Sequence, residues 1–298
     1  MAYKKPKTEN YFELHFIVVL FGFTAILGKL ITISAIEVVF YRTLLACGGL
    51  FIVLTLLQKD LRITKIDALK LLGTGFIVAF HWLLFFASAR VSNVSISLVG
   101  LATATFWVAI LQPITDRSKI SFLEIGLGLV VIFGLFLIFQ TELNHWLGIF
   151  LSIVTAFFQA VFSIINSKFT KRHHSLIITF YEMMGACFFS ILFIGLYWYI
   201  QPTAIPKNFM PSAKDLFWLF ILAVVCTVYA YSAIVRLLQN ITAFSVNLAI
   251  NLEPIYGIIL AYLIFGESEK MSFNFYAGTT IICLAVFGYQ VFGRGKSI

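Results

Sequence analysis

Apolar residues in this chain come in long blocks with no alternation of polar and apolar positions, and short joints bearing lysine, arginine, serine or glycine separate the blocks. The stretches 122–139 and 176–200 carry one charged residue each, Glu124 and Glu182. An α-helix needs about twenty such residues to cross a hydrocarbon core of roughly 30 Å. Lipid satisfies no backbone N–H or C=O group, so blocks without period-two patterning must be helices and not strands of a barrel. Hydropathy predicts ten, over 14–31, 35–57, 69–89, 94–114, 121–140, 146–167, 176–200, 216–235, 242–265 and 272–292. The predicted fold class is all-α integral membrane, with ten transmembrane helices.

Composition sharpens this reading, because 61% of the residues are hydrophobic and 11% charged, far from the balance of a soluble domain. Cys47, Cys187, Cys226 and Cys283 lie singly inside apolar blocks, without metal-ligand spacing, and read as packing residues. Segment 1–10 is polar and lysine-bearing, but no small-residue cleavage site follows it, so it is expected to lead into a first transmembrane helix. The net charge of +8 is scattered through the joints and forms no nucleic-acid patch.

Ten helices with a cytoplasmic N-terminus put Lys4, Lys5, Lys7, Lys59, Arg62, Lys65, Lys70, Arg117, Lys119, Lys168, Lys171, Arg172, Arg236, Arg294 and Lys296 on the inner side. Lys29, Arg90, Lys207, Lys214 and Lys270 fall outside or at helix ends, and Arg42 lies within a helix. That bias follows the positive-inside rule and expects both termini in the cytoplasm.

The two halves echo each other. Phe40-Tyr41-Arg42-Thr43-Leu44-Leu45-Ala46-Cys47 matches Phe180-Tyr181-Glu182-Met183-Met184-Gly185-Ala186-Cys187, and Lys119-Ile120-Ser121-Phe122 matches Lys270-Met271-Ser272-Phe273. Two domains are expected, residues 1–140 and 141–298, each of five helices. An odd helix count inserts the second copy from the opposite side, which is an inverted-topology repeat.

These residues carry a resemblance. Asn251-Leu252-Glu253-Pro254-Ile255-Tyr256, continuing through Leu263-Ile264-Phe265-Gly266-Glu267 to Ser272 and Gly278, is similar to the N-L-E-P helix, terminal G-E and following glycine of the drug/metabolite transporter superfamily, in its ten-helix branch of two EamA domains. His81-Trp82-Leu83-Leu84-Phe85-Phe86-Ala87-Ser88-Ala89, Ser92-Asn93-Val94-Ser95 and Arg42 resemble its first half. One departure is that the fourth predicted helix has Phe106 where Pro254 would be matched, with Leu111-Gln112-Pro113-Ile114 about two turns further on. The resemblance implies a secondary transporter, chiefly an exporter, of amino acids or related small metabolites by alternating access, driven by protons or another gradient, in a bacterial inner membrane. The alternatives are a lipid or lipid-linked sugar flippase and an integral-membrane enzyme.

Ionisable and polar groups at membrane depth are costly and therefore candidates for function. Arg42 and Glu182, at matching positions of oppositely inserted helices, are expected to gate the two mouths of a cavity, or else to snorkel to their nearer interfaces. His81, Trp82, Trp107, Tyr231, Asn247, Asn251 and Glu253 are the candidate substrate-binding residues, and Tyr41, Tyr181 and Tyr256 are further aromatic candidates for the cavity wall. Asn247 and Asn251 share a helix face while Glu253 is rotated away, so the three meet only if the helix is distorted, and Pro254 is the expected break. Glu253 is expected to couple protons or a substrate ammonium to the conformational change, or else to satisfy backbone freed by the proline. His173 and His174, beside Lys171 and Arg172, read as a solvated topology signal. No G-x-x-x-x-G-K-[ST], H-E-x-x-H or G-x-S-x-G pattern occurs, which speaks against an ATP-driven pump, a catalytic set or a metal site, and no cofactor is expected. The expected partners are a small-molecule substrate, protons and membrane lipid, with a homodimer left open.

Overall fold

The apolar blocks are helices, and no strand occurs among the described residues, which in this computed structural model are 8–140, 143–205 and 209–292. In chain order they are α1 (Thr8–Leu30), α2 (Ala35–Leu56), α3 (Lys65–Val91), α4 (Val94–Leu101), α5 (Ala104–Asp116), α6 (Phe122–Phe139), α7 (Trp146–Phe169), α8 (Ser175–Ile200), α9 (Ala213–Ala223), α10 (Ala230–Leu237), α11 (Ala243–Ile250), α12 (Glu253–Phe265) and α13 (Phe273–Phe292). A π-helical turn, Val224–Tyr229, joins α9 to α10. Counting α4 with α5, α9 with α10 and α11 with α12, eight spans are long and apolar enough to cross a membrane, and Phe122–Ile138 and Phe273–Ala285 are shorter apolar helices. The protein is a multi-pass helical membrane protein. Of the residues in the charge bias, Lys4, Lys5, Lys7, Lys207, Arg294 and Lys296 lie outside the described ones.

Joints end one helix and start the next with polar side chains, as orphan backbone groups at helix ends require. Ser34 caps α2 in a reciprocal box with Glu37, and Thr64, Asn93, Ser212 and Thr242 cap α3, α4, α9 and α11. The repeated K-x-S-F echo is a repeated N-cap: Ser121 Oγ accepts from the Glu124 N–H, and Ser272 Oγ from the Phe275 N–H. Gly266 ends α12 at φ 61°, a conformation that favours glycine.

The distribution of side chains is that of a protein in lipid. Phe122, Tyr199, Leu196, Leu263 and Leu284 are exposed, while Thr24, Arg42, His81, Gln159, Glu182, Asn247 and Glu253 are buried. Without a hydrophobic drive between helices, contact is set by close packing over small residues. A Cβ on Gly75 of α3 would overlap the Glu182 carbonyl of α8, and one on Gly185 would overlap the Leu72 carbonyl. Gly134 and Gly278 bring α6 and α13 together in the same way. Beyond these pairs, α3 also packs on α7, α2 on α8, α1 on α12, and α4 and α5 on α7.

Polar contacts at the helix ends fall into two groups, as helices of alternating direction would give. At one end Asp67 meets His173 at 2.9 Å, Lys168 meets Asp116 at 3.0 Å, and Arg236 meets Glu13. At the other, Asp215 accepts from the Thr32 N–H at 2.7 Å, and Ser88 Oγ donates to the Gly148 carbonyl at 2.7 Å. The first end also carries Lys59, Arg62, Lys65, Lys70, Lys171 and Arg172.

Candidate functional site

The buried polar side chains converge on a cavity of about 60 Å³ inside the bundle. It is the room of roughly four or five water molecules. α1 supplies Phe21 and Thr24, α2 Arg42, α3 His81, Trp82 and Phe85, α7 Gln159, Phe162 and Ser163, and α10, α11 and α12 supply Tyr231, Asn247 and Glu253.

Arg42 is held by the π turn. A π turn frees a carbonyl from its usual partner, and here the Thr227 hydroxyl donates to the Leu222 carbonyl, five residues back, at 3.0 Å. The same hydroxyl accepts from Arg42 Nε at 2.8 Å. The guanidinium lies over the Trp82 ring, 3.6 Å from its centroid, a cation–π contact that strengthens away from water. Arg42 is 2% exposed, so the side chain expected at a cavity mouth instead places its charge in the cavity itself.

Glu253 reaches the same cavity because the helix is broken before it. α11 stops at Ile250, two residues turn with the Leu252 N–H on the Ala249 carbonyl at 3.0 Å, and α12 begins at Glu253. Pro254 therefore stands in the first turn of a new segment, where its missing N–H costs nothing. The break lies ahead of the proline, not at the Ile250 carbonyl alone. It brings Asn247 and Glu253 to one wall, and sets Glu253 at a helix N-terminus, where the dipole favours a carboxylate. The carboxylate of Glu253 and the terminal nitrogens of Arg42 make no hydrogen bond or ion pair among the described residues, with each other or with anything else.

The first half breaks at the matching place without a proline. α4 has eight residues and α5 thirteen, as do α11 and α12. Here the turn at Ala102 and Thr103 is closed by the Thr103 hydroxyl, which donates to the Gly100 carbonyl at 2.8 Å. The two breaks touch: Asn251 bonds Thr105 Oγ1 at 2.8 Å in either orientation of its amide. Asn251 thus ties helix to helix and does not line the cavity.

Asn247 accepts from Gln159 Nε2 at 3.1 Å and donates to Ser163 Oγ at 2.8 Å. His81 Nδ1 is 2.9 Å from the Thr155 carbonyl, which fixes the ring with its other nitrogen directed elsewhere, and Trp82 and Tyr231 meet edge to face at 5.8 Å. Trp107 packs against Phe157 and does not reach the cavity. Tyr41 and Tyr181 donate their hydroxyls to the Phe209 and Leu61 carbonyls near opposite ends of the bundle, and Tyr256 does not line the cavity either. Glu182 sits behind Tyr231, whose hydroxyl donates to its Oε2 at 3.0 Å. Sequence reasoning missed Gln159, Ser163, Thr24, Phe85 and Phe162. A signal existed for two of them, since Ser152, Thr155, Gln159, Ser163 and Asn166 form a polar stripe at helical spacing along an otherwise apolar block.

Fold and site together define a polytopic membrane protein whose polar core encloses a small charged cavity. Residues 146–289, just under half of the chain, match the model of the EamA-like transporter family, which is of the drug/metabolite type, and the chain is similar to that family through this second half. No curated protein matches the chain in sequence. A crystal structure of a protein 11% identical covers 95% of this chain and 96% of its own, with a TM-score of 0.68, a likeness of fold alone.

Proposed function

We propose that the protein is a secondary transporter of small zwitterionic metabolites, with amino acids as the substrate class, working by alternating access between two inverted five-helix repeats. The observation that carries this reading is the cavity shared by Arg42 and Glu253, which face one space without pairing. A carboxylate on the substrate would meet the guanidinium, and an ammonium would meet Glu253, leaving side-chain contacts to Phe21, Phe85, Phe162 and Trp82. Each charged contact is worth about 1.5–3 kcal/mol in a site shielded from water.

The repeat organisation is supported by the packing. The contacts of α1 with α12 and of α4 and α5 with α7 exchange when the halves are exchanged, and α6 with α13 and α2 with α8 pair each helix with its own counterpart. The matched breaks and N-caps point the same way. By the positive-inside rule the end bearing Lys59, Lys171 and Arg172 faces the cytoplasm, and the reading extends to export across a bacterial inner membrane.

Transport in proteoliposomes tests the coupling assigned to Glu253. Glu253→Gln keeps size and hydrogen bonding but cannot ionise. Gradient-driven transport should be abolished in this variant, with residual exchange insensitive to pH, whereas wild-type rates with a wild-type pH profile would leave Glu253 a structural role only.

A further inference from the structure

A second carboxylate lies outside the cavity and has a bonding pattern that an ionised acid does not explain. Glu182 of α8 is 0% exposed. Its Oε2 accepts from the Tyr231 hydroxyl at 3.0 Å and from Asn166 Nδ2 at 3.4 Å. Its Oε1 is buried with no hydrogen-bond partner among the described residues, and so is Oδ1 of Asn166. Two acceptors are thus stranded on two groups already joined by an N–H···O bond. A carboxylate with an unsatisfied oxygen away from water is among the most costly arrangements a protein can hold.

One proton removes both defects. Placed on Glu182 Oε1, it converts the stranded oxygen into a donor, and the acceptor it needs is the side-chain carbonyl of Asn166, so acid and amide would be doubly bonded with no atom left over. We propose that Glu182 is a proton-binding site, separate from Glu253, that holds its proton in this structure and exchanges it with the cavity through Tyr231, whose hydroxyl passes its own proton to Oε2 while taking one from the cavity, a turn of the carboxyl group then carrying the proton to the Oε1 position. Tyr231 is suited to this because it lines the cavity on one side and bonds Glu182 and Asn166 on the other. Of the ionisable groups on the helices packed against α8, Tyr231 of α10 touches the carboxylate; Arg42 of α2 and His81 of α3 lie with Tyr231 around the cavity; and Cys47 of α2 neighbours Cys187, one turn beyond. No cation is bonded to Glu182 among the described residues. Thr179 and Ser232 also carry buried hydroxyls without partners. Four oxygens would suit a small monovalent cation if they converged, but of the four residues only Glu182 and Asn166 are joined by a hydrogen bond, from Asn166 Nδ2 to Glu182 Oε2. The proton is the ligand these contacts favour.

That the proton drives transport rests on the proposed function; that Glu182 carries one does not, and the two are separable by experiment. Infrared spectra of the purified full-length protein in vesicles at neutral pH should show the carbonyl band of a protonated carboxylic acid. The band should vanish in Glu182→Gln, survive in Glu253→Gln, and shift in Tyr231→Phe, which removes one donor. Glu182→Gln mimics the neutral acid and should melt at the wild-type temperature. A spectrum without the band, a band that Glu182→Gln leaves intact or Tyr231→Phe leaves unmoved, or a band that sodium chloride abolishes and potassium chloride does not, would overturn the assignment. The last result would make the site one for a metal cation. If the band behaves as expected but substrate transport is unaltered in Glu182→Gln, the proton site stands and its coupling role falls.

Discussion

Asn247 and Asn251 show how little a residue type says about its task until the backbone is known. Both are buried amides four residues apart on one predicted face, yet Asn247 joins Gln159 and Ser163 at the cavity while Asn251 fastens one helix break to the other. Asn247→Ala would strand the Gln159 amide and empty part of the wall. We expect it to lower stability by about 1–3 kcal/mol and also to weaken ligand binding. Asn251→Ala should lower stability to a similar degree while leaving the affinity per folded molecule unchanged, measured by thermal melting alongside a binding isotherm. Of the sequence-predicted binding residues, His81, Trp82, Tyr231, Asn247 and Glu253 line the cavity, because polar groups at membrane depth have nowhere else to go. Trp107 was not separable from them, since an aromatic side chain is equally at home against a neighbouring Phe. Arg42 could not be assigned either, because its partner hydroxyl is presented by a π turn that leaves no signature in apolar spacing.

Helices were legible as blocks, and their interruptions only in part. The sequence located one break through Pro254, but attributed it to the proline. The matching break at Ala102 and Thr103 has no proline and was invisible, because a threonine closing a turn on its own helix looks like any other threonine. Pro254→Ala is accordingly expected to keep the break and the fold, with the Asn251 contact to Thr105 still pinning the segments. Glycines divide by packing in the same way. Gly278→Leu should cost about 1–3 kcal/mol by forcing α6 and α13 apart, whereas Gly126→Ala, where an added Cβ meets nothing within 4 Å, should be neutral or slightly stabilising in a melting experiment.

At the scale of the whole molecule, the order of the apolar helices followed from hydropathy; α1 starts at Thr8, ahead of its block, the blocks 94–114, 216–235 and 242–265 are each built from two helices, and eight spans are long and apolar enough to cross a membrane. What hydropathy could not supply is which helices touch, because the lipid-facing and protein-facing sides of an apolar helix differ little in composition. Orientation is open to a direct test. In a background with the four native cysteines replaced by alanine, cysteines at Arg172 and Thr203 should react with an impermeant reagent from opposite sides of the membrane, Arg172 from the cytoplasm. Same-side reaction would contradict the alternating arrangement of the helices. The central claim is that Arg42 and Glu253 together receive a zwitterion, and thermal stabilisation of the purified protein by a panel of amino acids and their blocked derivatives tests it most directly. At least one free amino acid should raise the melting temperature, by an amount equivalent to about 2.7 kcal/mol at a hundredfold excess over Kd. Its N-acetyl and carboxamide derivatives should not, and Arg42→Gln or Glu253→Gln should weaken the effect by roughly 10- to 150-fold in concentration. Stabilisation by the blocked compounds as strong as by the free amino acid, or undiminished in both variants, would contradict the account.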